Sequence, residues 1–333
     1  MRILVLQLKR IGDTILTAPA LGMLRSAWPD ARIEVVLHGP SAGLGMMLPG
    51  VERVHAWMPG HLNTGILAHL AAGDWDLVLD FTGTDRSVML ALLSRATARF
   101  SYARHAKGRR WRQWAADHEV EASVRDLSTV DFHAALVSGA VRVLAGREPP
   151  PVPPPPNLSC PATVIPAGLP PRYVVIHPGT ARDEKYWPPE RWLAVARHLA
   201  GEQNLPLVLT GSADAREAEH LRTLRADRSV AWLDLAGKLD LVGSAAVIAG
   251  ASLVLTVDSA AMHLAGQFGR QQIALFGPTN PFHWAPRHPL ARVFHGARGV
   301  VDPAASLPDQ FKAESMEVIP AASVIAICDG LGA

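Results

Sequence analysis

The sequence predicts an α/β protein built from two doubly wound domains. Three observations lead there. Short apolar runs alternate with amphipathic helical patterns along nearly the whole chain. The length of 333 residues suits about two domains. Eleven of the 27 prolines fall between Pro149 and Pro171, near the midpoint. Prolines at that density neither continue a helix nor donate to a central strand, and they favour a stiff extended connector. The expected domains are therefore residues 1–148 and 172–333, joined by a proline-rich linker at 149–171. The last helix is free to pack back on the first domain.

The elements follow in order. Residues 3–8 form an apolar run suited to a buried parallel strand. Residues 12–28 read as helix, interrupted at Pro19 and stopped by Pro29-Asp30. Strands are expected at 33–38, 77–81 and 99–103, and helices at 65–72, 87–93 and 128–144. In the last of these, Leu136, Val137, Val141 and Leu144 share one face. The pattern restarts after the prolines. Strands are expected at 173–177, 207–210, 230–235, 253–257 and 272–276, with helices at 190–203, 213–225, 239–249 and 259–268. Pro188 and Pro189 stand at the start of the first of these helices, where a missing N–H costs nothing.

Composition removes several function classes. With 49% hydrophobic and 19% charged residues the chain is not disordered. A net charge of +2 does not suit a nucleic-acid binder of histone type. Two cysteines, Cys160 and Cys328, exclude a disulfide scaffold and a four-cysteine zinc site, and a reducing cytoplasm is the simplest compartment. The first apolar run is short and ends in Lys9-Arg10, unlike a signal peptide. Residues 241–257 are uncharged but fall short of the roughly 20 apolar residues of a span, so no membrane crossing is expected. Surface attachment stays open. No Gly-x-Gly-x-x-Gly follows a strand, no Walker loop is present, and the fourteen histidines form no His-Glu-x-x-His. Asp74-Trp75-Asp76 precedes a strand and reads as polarity at its entry rather than as a metal motif.

Ligands of doubly wound sheets bind at the carboxyl ends of strands, and the chemistry-bearing residues cluster there. Arg10-Ile11-Gly12-Asp13 follows the first strand. Asp13 reads either as a helix cap beside Arg10 or as a general base. His177-Pro178-Gly179-Thr180, then Lys185, Trp187 and Pro188, suits a phosphate: backbone N–H, hydroxyl and ammonium converge. The alternative is a solvated loop. Gly211-Ser212 opens a helix that carries Glu217, a candidate hydroxyl acceptor or a plain helix-start carboxylate. Asp258-Ser259-Ala260-Ala261-Met262-His263 is the densest site. Asp258 or Ser259 is placed to cap the helix, and His263 lies one turn in. Gly277-Pro278-Thr279 ends a further strand. The four of these motifs that fall in the second domain exceed what caps require and point to an anionic ligand such as a nucleoside diphosphate. The run from Arg95 to Arg112 adds Arg95, Arg99, Arg104, Lys107, Arg109, Arg110 and Arg112 with no acidic residue between them, interleaved with Phe100, Tyr102, Trp111 and Trp114. It reads as a solvated loop or as a patch for an anionic acceptor or membrane headgroups.

These pieces together resemble glycosyltransferase family 9, the lipopolysaccharide heptosyltransferases. The resemblance covers nearly the whole chain. It rests on Arg10-Ile-Gly-Asp13 with Pro19, Trp75-Asp-Leu-Val-Leu-Asp80, His177-Pro-Gly with Lys185-x-Trp-Pro188, Asp258-Ser with Met262-His-Leu-Ala265, and Phe276-Gly-Pro-Thr279. It implies the GT-B fold, two Rossmann-like domains facing across a cleft, and an inverting transfer from a nucleotide sugar, typically ADP-heptose, with no metal and no other cofactor. It implies Asp13 as catalytic base and Lys185 on the donor phosphates. Asp258 and His263 border the donor, with His177, Gly179, Thr180, Gly211, Ser212, Glu217, Ser259, Ala260, Gly277 and Thr279 around it. The acceptor, an anionic glycolipid or glycan, falls to Arg10, Gly12, Arg86, Arg104, Lys107, Arg109 and Arg110. The implied place is the cytoplasm, with peripheral contact on the inner face of the inner membrane, and the implied partners include no nucleic acid. Ala260 departs from the glycine of many members, and residues 81–86 are atypical, which bears on the acceptor. The alternative is a non-catalytic nucleotide-sugar-binding or scaffold protein on the same fold.

Overall fold

The computed structural model describes residues 1–103, 110–305 and 311–331. The chain divides into two compact units, Met1–Ser159 and Cys160–Ala333.

The first unit runs β1 (Arg2–Gln7), α1 (Ile11–Leu16), α2 (Ala18–Ala27), β2 (Arg32–His38), β3 (Val51–Trp57), α3 (Thr64–Ala72), β4 (Leu77–Asp80), α4 (Asp85–Leu93), β5 (Ala98–Tyr102), β6 (His118–Val120) and α5 (Thr129–Ala145). Its sheet has the order β3-β2-β1-β4-β5-β6, with every neighbouring pair parallel. Central β1 is covered on both faces, which explains its unbroken apolar run. The single helix expected at 12–28 is two. The break falls at Thr17, and Pro19 sits in the first turn of α2, where its lost N–H is harmless. Thr17 Oγ1 donates to the Asp13 carbonyl at 2.8 Å and accepts from Gln7 Nε2 at 3.0 Å. Thr84 and Ser87 cap α4 reciprocally. Asp76 accepts the Arg2 backbone N–H at 2.6 Å, in keeping with its place at a strand entry. β3 and β6 escaped the sequence reading. β3 is a largely exposed edge strand, and β6 has three residues.

The second unit runs β7 (Val174–His177), α6 (Pro189–Gly201), β8 (Leu207–Leu209), α7 (Ala215–Ala226), β9 (Trp232–Asp234), α8 (Leu241–Gly250), β10 (Leu253–Val257), α9 (Ala260–Gln267), β11 (Gln272–Phe276), α10 (Pro281–Trp284), β12 (Ala291–His295), β13 (Gly299–Val301) and α11 (Ala321–Leu331). The sheet order is β13-β12-β11-β10-β7-β8-β9, parallel except for the β12–β13 pair. Trp187 and Trp192 are fully buried and meet edge to face, centroids 4.9 Å apart. The last helix, allowed above to pack on the first domain, lies against α6 of its own unit. Val324 and Cys328 are sealed into the same apolar cluster as Trp192 and Val195.

The proline segment is not a bare tether. Pro153 lies against Gly22 of α2, where a Cβ would come within 2.9 Å of it, and Ser159 N–H donates to the Met47 carbonyl at 3.0 Å. The division between the units falls after Ser159, inside the stretch expected as linker. In each sheet the strand order reverses once, between β1 and β4 and between β7 and β10. A doubly wound sheet opens a crevice at the carboxyl ends of such a pair. Among the described residues no helix is long and apolar enough to cross a membrane.

Candidate functional site

In the first unit the crevice side of β1 carries Asp13. Arg10 occupies the N-cap position of α1, so Asp13 is not the cap, and it lies in the first helical turn. Burial pushes its carboxyl above the usual carboxylate range. Lys9, Arg10 and nearby backbone N–H groups pull the other way without cancelling it. Gln7, Thr17 and His133 brace the turn from beneath. His133 Nδ1 lies 3.1 Å from the Leu16 carbonyl and 3.3 Å from Thr17 Oγ1. Asp80, at the end of β4, accepts from the N–H of Thr82 at 2.8 Å, the N–H of Gly83 at 3.0 Å and Ser87 Oγ at 2.8 Å. It shapes the 81–84 turn from inside, and burial raises its carboxyl too.

In the second unit the crevice between β7 and β10 gathers four of the expected donor residues. Asp258, 6% exposed at the end of β10, accepts through Oδ2 from Lys185 Nζ at 2.7 Å and from Thr279 Oγ1 at 2.7 Å. Lys185 ends a short 3-10 turn just before buried Trp187, whose Nε1 donates to the Ile319 carbonyl at 3.1 Å. That anchor fixes the loop from which the ammonium projects. Burial drives the His263 imidazole down to about 4, with Asp258 opposing and Lys185 reinforcing the shift, so it is neutral at pH 7. The expectation that Asp258 or Ser259 caps α9 does not hold. The Asp258 carboxylate is turned to Lys185 and Thr279, and Ser259 Oγ lies 3.0 Å from Thr256 Oγ1. Among the described residues no side chain caps the start of α9, at Ala260. Its first N–H groups are left to meet an anion.

Across the same sheet end, His177 Nδ1 lies 3.0 Å from Thr210 Oγ1, and burial lowers that imidazole as well. Glu217 is buried and accepts from Ser212 N–H at 2.8 Å and Ser212 Oγ at 2.6 Å. Its carboxylate is wedged between two glycines. A Cβ on Gly179 would come within 1.9 Å of Glu217 Oε1, and one on Gly211 within 2.4 Å. Thr180 offers its carbonyl to Tyr186 Oη at 3.1 Å. Gly277 has a packing role of its own, since a Cβ there would stand 2.8 Å from the Glu314 carbonyl and 2.9 Å from Met316 Sδ.

On the acceptor side, Arg10 and Arg86 are exposed and Gly12 is half-buried in α1. Arg104, Lys107 and Arg109 lie outside the described residues, as does the side chain of Arg110. The rest of that basic run is less free than its sequence suggests. Arg99 binds Asp117 through two nitrogens, at 3.0 and 2.7 Å, and Arg112 binds Asp85 at 2.8 and 2.6 Å. Both acids come from outside the run and enter only by folding. Thr17, Gln7 and His133 carry no role in the sequence analysis, and residues 81–84 enter it only through their bearing on the acceptor. Isolated polar residues within apolar runs were the available signal.

Comparison with known proteins matches residues 66–302 to the family model described as glycosyltransferase family 9 (heptosyltransferase). Lipopolysaccharide heptosyltransferase 1 of Escherichia coli K12 is 26% identical, covering 84% of this chain and 89% of its own. The E. coli heptosyltransferase WaaC solved with ADP superposes at a TM-score of 0.78, with 21% identity over the whole of both chains. The same enzyme solved with ADP-2-deoxy-2-fluoro heptose gives 0.74, with 21% identity and 99% of each chain covered. The fold is GT-B.

Proposed function

The chain belongs to glycosyltransferase family 9, and on that premise we propose that it moves a heptose, or a closely related sugar, from an ADP-activated donor to a lipopolysaccharide core or similar anionic glycan acceptor, with inversion and without an essential metal. The observation that carries this reading is the start of α9. Uncapped backbone N–H groups stand there beside an ammonium held by Asp258, whose carboxylate also accepts from Thr279. Such an arrangement suits a diphosphate, because fixed N–H donors and a lysine point charge meet its negative charge without reorganising.

The chemistry assigns one task to each part. The acceptor hydroxyl oxygen attacks the anomeric carbon while its proton passes to the Asp13 carboxylate. The bond from that carbon to the diphosphate oxygen breaks, and the electron pair leaves with the nucleotide. Burial makes Asp13 a stronger base than an exposed carboxylate, which suits proton abstraction near neutral pH. Lys185 and the start of α9 take up the charge that develops on the diphosphate. Neutral His263 adds no competing charge. Gly179 and Gly211 leave room for the Glu217 carboxylate, which holds the Ser212 turn in place beside the nucleotide. The acceptor's lipid anchor would bring the protein to the inner face of the inner membrane as a peripheral enzyme.

The test is transfer from ADP-heptose to a truncated lipopolysaccharide acceptor, run with and without EDTA, beside a panel of other sugar nucleotides. Asp13→Asn is expected to lower turnover by roughly 10²–10⁴-fold while ADP still binds. Full activity in that variant overturns the base assignment, and a strict metal requirement overturns the mechanism. ADP binding with no transfer to any glycolipid supports the binding-only alternative.

A further inference from the structure

Three residues far apart in sequence meet on the outer part of the first sheet. Glu34 lies on β2, His55 on edge strand β3 and His69 on α3. Glu34 Oε2 is 2.8 Å from His55 Nε2 and 2.8 Å from His69 Nε2, and the three atoms all lie within 4.8 Å of one another. The other carboxylate oxygen, Oε1, accepts from Arg2 at 3.0 Å. The Arg2 guanidinium in turn stands over the Trp75 ring at 4.5 Å, and the His69 ring meets the edge of the same indole at 5.8 Å. One oxygen is thus fixed by its partners, and the other faces two imidazole nitrogens.

We propose that Glu34, His55 and His69 form a binding site for a borderline divalent transition-metal ion, best matched by Zn²⁺. Two imidazoles and one carboxylate are an N/O set that zinc takes readily, and hard ions such as Mg²⁺ and Ca²⁺ prefer an all-oxygen set. Ligand atoms about 2.1 Å from a tetrahedral ion stand about 3.4 Å apart. The two 2.8 Å contacts need to open by about half an ångström, and the two imidazole nitrogens, which lie within 4.8 Å of each other, need to settle at about 3.4 Å, changes that side-chain rotations supply. Arg2 keeps the carboxylate monodentate, the role that hydrogen bonds behind metal ligands usually serve. The His69 side chain is 26% exposed, so water can complete the coordination. The cluster lies at the β2–β3 edge of the sheet, to one side of the turn after central β1 that leads to Asp13. The ion is structural there, clipping edge strand β3 and α3 to β2. It takes no part in sugar transfer, and the proposal does not depend on which sugar the enzyme moves.

The experiment uses the full chain, stripped with EDTA, desalted and incubated with zinc chloride. Bound metal is counted by elemental analysis, and melting is followed with zinc, magnesium or calcium. The expected result is about one zinc retained per chain, with melting raised by about 5 °C or more at saturating zinc and unchanged by the other two ions. His69→Ala and His55→Ala are expected to melt close to the stripped wild type and to lose both the retained ion and the shift. If the wild type retains no zinc, or the two variants retain as much as it does, the cluster is a hydrogen-bond network only and the proposal fails.

Discussion

Gly179→Ala tests how the donor side of the second unit is built. The backbone at Gly179 is not left-handed, so alanine brings no φ strain. The cost comes from the added methyl, which would stand 1.9 Å from Glu217 Oε1 and 2.3 Å from its Cδ. The Glu217 carboxylate must leave, and with it go the bonds to Ser212 N–H at 2.8 Å and Ser212 Oγ at 2.6 Å. Hydrogen bonds to a charged group contribute about 1.5–3 kcal/mol each. The displaced carboxylate regains part of its hydration, leaving a net loss of about 3 kcal/mol. Melting of the second unit should fall by about 6–12 °C in calorimetry. ADP affinity should fall with it, because the Gly211-Ser212 turn loses its clamp. The decisive measurement is the double-mutant cycle with Glu217→Ala. In that background the three atoms nearest the new methyl are gone, so Gly179→Ala should cost less than about 1 kcal/mol. Equal costs in the two backgrounds would refute the reasoning.

Lys185→Ala removes the point charge beside α9, and ADP should bind at least about tenfold more weakly by titration calorimetry. Lys185→Arg should not restore affinity, since a planar fork cannot replace a compact ammonium in this geometry. Trp187→Ala empties a fully buried indole site and should cost about 3–5 kcal/mol in urea unfolding, with ADP affinity falling as the Lys185 loop loosens. His263 titrates near 4 in the folded chain against 6.5 for an unperturbed imidazole. Between those values the unfolded state binds a proton that the folded state refuses. The contribution is therefore intact above about pH 6.5 and lost as pH falls toward 4, by roughly 3 kcal/mol in all. Unfolding of His263→Gln at pH 7 and pH 4.5 should show a correspondingly flatter pH dependence.

The two sheets were legible because buried parallel strands need unbroken apolar runs. β1, β7, β10 and β11 carry such runs, and their carboxyl ends carry the turns where ligands of this architecture bind. Edge strands such as β3 were not legible, since a strand covered on one side has little apolar pattern to show. Local chemistry picked out Asp13, Lys185, Asp258 and Thr279 one at a time. That Asp258 would bind Lys185 and Thr279 instead of capping α9 depends on where β7, β10 and β11 lie in the sheet, and sequence distance carries no record of that. The same holds for Arg99 and Arg112, whose acidic partners arrive from other elements, and for Glu34, His55 and His69, which no motif links. The buried central strands, the glycine turns and the types of residue at their ends are written in the sequence, because backbone conformation and burial act over a few neighbours. Tertiary structure decided which charges pair, which helix start stays open and which histidines meet a carboxylate, because those outcomes depend on distances of a few ångströms between segments tens of residues apart.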